Sequence, residues 1–219
     1  MEDRINYALK NFLNGNFRYA SNSLIYTLFE TDKLGKSRLI VQVGTVENIC
    51  VTNYDNFPKW GIVNTSKKIH MSKCVDHFIF KRNQLGIWKL YIFEMKTSVG
   101  FKTWSDIKYK LRSSYLSIKA IAVYLGIQLS DENITVYTTY ENDEKMRVEN
   151  TTDPKAMLPR VGDKAIDAKK DEWDAGVINV PVIVSESNPY DFYTAIRLSH
   201  RKILMHRAED SFLENTISL

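Results

Sequence analysis

Two neighbouring strand-like runs constrain the fold of this chain most. They are residues 73–81 (KCVDHFIFK) and 87–97 (IWKLYIFEMKT), separated by the short segment RNQLG. Both runs carry β-branched and aromatic residues, which favour strands, and a short gap that contains glycine is a usual hairpin connection. The sequence therefore predicts an antiparallel β-hairpin.

The apolar residues of the two runs indicate the register of this hairpin. Successive side chains of a strand point to opposite faces of the sheet. A hairpin that closes around Leu85 places Phe78 opposite Ile92. It also places Phe80 opposite Leu90. One register thus collects these apolar side chains on a single face, which we expect to be buried.

The same register brings two acids and a lysine to one end of that face. It places Asp76 opposite Glu94, and it places Cys74 opposite Lys96. Opposite carboxylates lie about 5 Å apart at their Cβ atoms and repel one another, so the pair calls for a cation. Carboxylate oxygens suit Mg²⁺ or Mn²⁺, which activates bound water and neutralises charge on a scissile phosphate. Lys96 would hold or deprotonate that water, or stabilise the developing charge; a plain salt bridge at the sheet edge is the alternative.

The remaining patterns predict an α/β chain with a mixed central β-sheet flanked by helices. Helices are predicted over 4–13, 17–30, 105–125 and about 20 residues from Asn188-Pro189, and strands over 38–52, 133–140 and 177–185. Ser105 is the expected N-cap of the long helix, and Gly126 follows its end. Residues 141–176 form a polar excursion with a short helix near 163–173. Pro181 predicts an edge strand or a bulge.

The spacing of the acids and the lysine resembles a known family motif. Asp76 on one strand, Glu94-Met95-Lys96 on the next and a long helix after them are similar to the PD-(D/E)xK nuclease superfamily, which includes restriction endonucleases. Val75 stands where the motif has proline. The resemblance implies a restriction-endonuclease-like α-β-β-β-α-β core over about residues 3–140.

The resemblance also implies roles for individual residues. Asp76, Glu94 and the backbone carbonyl of Met95 would bind Mg²⁺ or Mn²⁺. Lys96 would be the catalytic lysine. Many members of the superfamily carry a further upstream acid, and the two candidates here are Glu47 and Glu30.

A single nuclease domain over residues 1–219 is the expected organisation. The core is followed by the excursion at 141–176 and by an additional strand and a C-terminal helix at 177–211. The resemblance implies hydrolysis of nucleic-acid phosphodiesters, with DNA favoured, and an RNA endonuclease is an alternative. A further alternative is a catalytically silent nucleic-acid-binding or complex-assembly subunit. Without a separate recognition module, the chain is expected to be an effector nuclease of a bacterial defence or restriction system, as a homodimer or with a partner protein.

A basic row on the predicted helix 105–125 is a candidate nucleic-acid contact. Its members lie beside the apolar stripe at helical spacing, and they are Lys108, Arg112 and Lys119. Lys102, just before this helix, is predicted to contact the substrate backbone as well. A solvated helix face is the alternative. A second basic cluster, from Arg197 to Arg207, is predicted to lie on the C-terminal helix.

Composition sets wider limits. The net charge of +4 permits a polyanionic partner without requiring one. Cys50 and Cys74 lack a metal-type spacing and are interpreted as small buried residues. The N-terminal run has no signal-peptide pattern and no stretch reaches the ~18 apolar residues of a membrane span, so a cytoplasmic protein is expected. The acids around Trp173 are interpreted as a loop surface.

Overall fold

A computed structural model of the chain describes residues 3–11, 19–32, 35–45, 47–56, 73–143, 170–184 and 192–219. The helices are α1 (Asp3–Asn11) and α2 (Phe101–Tyr124), and residues 170–174 form a short helical segment. The strands are β1 (Tyr19–Ser21), β2 (Ile25–Asp32), β3 (Gly35–Gln42), β4 (Asn48–Val51), β5 (His77–Arg82), β6 (Trp88–Met95), β7 (Ile134–Tyr140), β8 (Val177–Val184), β9 (Phe192–Leu204), β10 (His206–Arg207) and β11 (Leu213–Ser218). None of the helices in these ranges is long and apolar enough to cross a membrane.

The larger sheet is mixed and has the strand order β1-β4-β5-β6-β7-β9-β8. Strands β4, β5 and β6 form an antiparallel meander. Helix α2 then carries the chain to β7, which pairs parallel to β6, and β9 pairs parallel to β7. The mixed α/β class predicted from the sequence is therefore confirmed.

The two faces of this sheet are covered differently. Helices α1 and α2 share one core with alternate residues of the sheet, such as Phe78 and Ile92. The other face is covered by a second sheet of order β10-β11-β3-β2. Its inward residues Leu28 and Leu39 form a second core with Ile79 and their neighbours. The sequence predicted helices beside the central sheet, but this four-stranded sheet was not expected.

The predicted helix over residues 17–30 is wrong. Residues 19–21 and 25–32 are the strands β1 and β2. Tyr26 and Leu28 are buried while Ile25 and Phe29 are exposed, which is the period of two of a half-buried strand. Because exposed positions of this strand also carry apolar residues, the run has apolar spacings that are typical of a helix. Similarly, the predicted strand 38–52 is two strands, β3 and β4, which belong to different sheets.

The predicted C-terminal helix, part of the extension at 177–211, is also wrong. Residues Phe192–Leu204 form the long strand β9, and β10 and β11 follow it. Leu198 and His200 are buried between exposed neighbours, so the alternation is that of a strand. The basic cluster therefore lies along β9 and β10, not on a helix. The proposed helix start at Asn188-Pro189 lies outside the described residues.

The elements nearest the predicted site agree with the sequence. The hairpin, the long helix and β7 are present, although α2 begins at Phe101 and Ser105 lies inside it. Gly126 follows the helix with a φ of +69°. Strand β8 is an edge strand with an irregular register after Pro181, as predicted. The predicted helix near 163–173 overlaps the helical segment at 170–174, while 144–169 lie outside the described residues.

Candidate active site

The hairpin has the predicted register. Phe78 pairs with Ile92, and Phe80 pairs with Leu90. Leu85 is at the tip of the turn and is 83% exposed. The ladder ends at the pair of His77 and Phe93, so Asp76 directly precedes it and Glu94 directly follows it. The two acids thus lie together where the paired strands separate.

Asp76 is held by the backbone of both flanking segments. Its Oδ2 accepts a hydrogen bond from the Met95 backbone N–H at 2.6 Å, and its carbonyl accepts one from the Tyr54 N–H at 2.7 Å. The side chain is almost completely buried. An aspartate fixed in this way keeps one carboxylate oxygen, Oδ1, for other partners.

The segment before Asp76 is attached to α2 and not to β6. The Val75 N–H donates to Ser114 Oγ at 2.9 Å, and Ser113 Oγ donates to the Lys73 carbonyl at 2.6 Å. Cys74 therefore does not continue the ladder opposite Lys96, which corrects that part of the predicted register. These two serines of α2 position the segment that carries the aspartate.

Glu94 is the most deeply buried acid of the site, with 0% of its surface exposed. Its Oε1 lies 2.6 Å from Lys96 Nζ and 2.7 Å from Lys110 Nζ. Its Oε2 has no hydrogen-bond partner among the described residues. Burial, followed by the charge of Asp76, raises the pKa of Glu94 to about 7, although the two lysines act in the opposite direction.

Lys110 is the residue that the sequence analysis missed. Its Nζ contacts Asp76 Oδ1 at 3.2 Å and Glu94 Oε1 at 2.7 Å, so one ammonium bridges both acids. Burial alone would lower the pKa of Lys110, but the two carboxylates raise it above its usual value. Helical spacing could have indicated this residue, because it places Lys110 beside the apolar stripe of α2, on the side opposite Lys108.

Lys96 lies beside the acids at the end of β6. Its backbone N–H donates to the Thr139 carbonyl at 3.2 Å, which ties this point to β7. Its Nζ donates to the Met95 carbonyl at 2.9 Å. The side chains of Lys96 and Lys110 are 27% and 20% exposed, so solvent reaches the site from the lysine side. The structure therefore brings together all three residues predicted to be catalytic.

The donor set fits a hard divalent cation. Asp76 and Glu94 converge on one point, the Met95 carbonyl is adjacent, and Glu94 has a buried oxygen without a donor. Mg²⁺ is commonly bound by one or two carboxylates, with waters and substrate phosphate completing its octahedron. Among the described residues no group of three or more His, Cys, Asp or Glu side chains forms a ready metal cage. The two carboxylates and the Met95 carbonyl are thus the oxygen donors at this site that could hold such an ion.

The two candidates for the upstream acid lie in different parts of the molecule. Glu47 is at the hairpin-turn end of the larger sheet, where its Oε1 is 3.5 Å from Arg82 Nη1, so it does not belong to this cluster. Glu30 is on β2 of the second sheet, and its part in the site stays a prediction. His77, next to Asp76, faces the second core, and its Nδ1 accepts from the Asn53 N–H at 3.1 Å.

The predicted basic row does not form a free basic surface. Lys108 Nζ lies 2.5 Å from Glu172 Oε2, and Lys119 Nζ lies 2.9 Å from Asp131 Oδ1. Arg112 is 1% exposed and would have to move to reach a phosphate. Lys102 is exposed on the first turn of α2. Contact of these four residues with nucleic acid stays a prediction.

No protein-family model matches the sequence, and no curated protein or solved structure matches it. Membership of the PD-(D/E)xK superfamily, suggested by Asp76, Glu94 and Lys96, therefore stays a prediction. The function has to be inferred from the site itself.

Proposed function

We propose that this protein is a metal-dependent nuclease that hydrolyses nucleic-acid phosphodiesters, with DNA as the favoured substrate. One observation carries the proposal: Asp76 and Glu94, at the neighbouring ends of β5 and β6, are bridged by the Lys110 ammonium, and Lys96 lies beside them. Two carboxylates with one nearby lysine on a solvent-reachable edge are the groups that such chemistry needs.

Each residue has a distinct task in this proposal. Asp76, Glu94 and the Met95 carbonyl would hold Mg²⁺ or Mn²⁺. When bound, that ion supplies a water of lowered pKa and neutralises charge on the phosphate. Lys96 would orient the attacking water and stabilise the charge that develops on the phosphate oxygens. The backbone N–H of Met95 keeps the Asp76 carboxylate in place.

The order of elements around the site supports a restriction-endonuclease-like core. Helix α1, the meander β4-β5-β6, helix α2 and the parallel strand β7 follow the α-β-β-β-α-β order. Strands β1 to β3 are inserted after α1. The second sheet and the β8-β9 pair would then be additions to that core.

The test is cleavage of plasmid DNA, single-stranded DNA and RNA with Mg²⁺ or Mn²⁺, and with EDTA as the metal-free reference. We expect Asp76→Asn and Lys96→Met to lower the cleavage rate about 100-fold or more, because each removes a group that acts on the reacting phosphate. Asp210→Asn is the matched control, since Asp210 lies on the surface, where it pairs with Arg38 of the second sheet and accepts a hydrogen bond from the Phe212 N–H. Equal rates in all four proteins would refute the proposal.

A specific observation favours a second function, that of a catalytically silent binding or assembly subunit. The two acids already have two lysine partners, Lys96 and Lys110, so the cluster is balanced in charge without a metal. Nucleic-acid binding without cleavage of any of the three substrates would support it. Cleavage of RNA alone would instead identify an RNA endonuclease. Action within a defence system, as a homodimer or with a partner protein, stays a prediction.

A further inference from the structure

We propose that Lys110 is a placeholder cation, whose ammonium occupies the space between Asp76 and Glu94 in the metal-free protein and leaves it when a divalent ion binds. This inference rests on the proposed metal site. It adds a competition between a side chain of the protein and the metal, and so a built-in limit on metal affinity.

The position of the ammonium is the first reason. Lys110 Nζ is 3.2 Å from Asp76 Oδ1 and 2.7 Å from Glu94 Oε1, so it occupies the point on which both carboxylates converge. A divalent ion bound by the same oxygens would lie within a few ångströms of that nitrogen. At such a distance in a partly buried site, repulsion between the two cations is strong. Lys96 contacts Glu94 and the Met95 carbonyl, whereas Lys110 lies between the two carboxylates, so Lys110 is the ammonium that has to leave when the ion binds.

The quality of the contact is the second reason. Lys110 pairs with one oxygen of Glu94, Oε1, and Glu94 Oε2 has no partner among the described residues. The ammonium therefore neutralises the carboxylate without saturating it. Lysine is a compact charge on a flexible stem, and this side chain is 20% exposed, so it has a route to solvent. A divalent ion would satisfy the oxygens better than Lys110 does.

The experiment is calorimetric titration of Mn²⁺ into the whole protein at pH 8.5, without nucleic acid. We expect Lys110→Met to lower the dissociation constant about tenfold or more, because the competing charge is gone. Lys108→Met is the matched control: Lys108 lies two residues away on α2, is 21% exposed and also pairs with a buried glutamate, Glu172. Its Mn²⁺ affinity should equal that of the wild type.

The outcomes separate the two proposals. Equal Mn²⁺ affinity in all three proteins would overturn the placeholder role of Lys110 and leave the metal site standing. Weaker binding by Lys110→Met would make Lys110 a supporting residue and would also overturn the proposal. Absence of Mn²⁺ binding in every protein would refute the metal site, and the inference with it.

A second measurement uses only the wild-type protein, in case the variant does not fold. Lysines are acetylated with an amine-reactive ester, with and without Mn²⁺, and the modified peptides are quantified by mass spectrometry. We expect Mn²⁺ to increase the acetylation of Lys110 severalfold, because its ammonium leaves the carboxylates, while Lys108 stays unchanged. Equal labelling of Lys110 in both conditions would overturn the proposal.

Discussion

Two lysines of helix α2 pair with two buried glutamates, and the two glutamates have very different surroundings. Lys108 pairs with Glu172, and Lys110 pairs with Glu94. Glu172 Oε2 accepts hydrogen bonds from Lys108 and from Trp104 Nε1, at 2.5 and 3.2 Å. Its Oε1 accepts one from the Asn179 backbone N–H. Every oxygen of Glu172 is thus satisfied by the protein.

Glu94 is buried more deeply but is satisfied less well. Two ammonium groups pair with its Oε1, and no described donor reaches its Oε2. A buried polar atom without a partner destabilises the fold, and such groups concentrate where a site awaits a ligand. The comparison distinguishes a carboxylate that holds the structure together from one that is available for chemistry. The expectation that the acids around Trp173 form a surface holds for Asp171 and Asp174, which are exposed, and is wrong for Glu172, which is buried beside Trp173.

The largest effect on stability is expected at Glu172. Its replacement by alanine would leave Lys108, Trp104 Nε1 and the Asn179 N–H without their acceptor. We expect the free energy of unfolding to fall by about 3–5 kcal/mol, as for other broken buried pairs. Chemical denaturation measures this, with Asp174→Ala as the control. Asp174 is 61% exposed and pairs with Lys202 on the surface, so its loss should change stability by less than about 0.5 kcal/mol.

His200 belongs to the same buried cluster, around Trp104 and Trp173, and its protonation should make stability depend on pH. Its ring packs between Trp104 and Trp173, with centroids 4.9 and 5.3 Å away, and its Nε2 lies 3.0 Å from Thr138 Oγ1. Burial lowers the pKa of His200 to about 3. The unfolded chain therefore takes up a proton below about pH 6.5 that the folded protein does not, so stability is lost as the pH falls from there towards 3.

The variant His200→Phe isolates this contribution because it keeps an aromatic ring and cannot titrate. Between pH 7 and pH 4.5 we expect the wild type to lose about 2–3 kcal/mol of unfolding free energy relative to the variant. Denaturation curves of both proteins across this range provide the measurement. Parallel pH profiles would show that His200 is protonated as easily in the folded protein as in the unfolded chain.

The smallest change is expected at Glu94. Replacement by glutamine removes a desolvated charge that Asp76 repels. Lys110 keeps its hydrogen bond to Asp76, and Lys96 keeps its hydrogen bond to the Met95 carbonyl. We therefore expect the free energy of unfolding at pH 8 to change by about 1 kcal/mol or less, or to increase. A loss of unfolding free energy as large as that of Glu172→Ala would mean that both glutamates stabilise the fold equally, which would contradict the difference described above.

Much of the site could be predicted from sequence because strand alternation is a local signal. The apolar pairs of β5 and β6 allow only one register that buries them together, and Asp76 and Glu94 follow from it. Lys110 could not be assigned in the same way. The position of Lys110 around the axis of α2 follows from its sequence spacing. Its contacts, however, depend on how the helix packs across the sheet.

The second sheet could not be predicted for a related reason. On β2 one face is buried and the other still carries apolar residues such as Ile25 and Phe29, so local spacing suits either a strand or a helix. What decides the outcome is pairing with distant segments. Strand β11 lies between β10 and β3, and its parallel pairing with β3 joins Leu213 to Ser37.

That pairing between β3 and β11 has a consequence for the order of folding. The strands β2 and β3 are synthesised early, but the strand that completes their sheet is made far later in the chain. Until β11 is available, β3 has an open edge, and the loop to be closed spans most of the sequence, so we expect completion of this sheet to be slow. We therefore expect pairing of the open β3 edge with another copy to compete with completion of the fold.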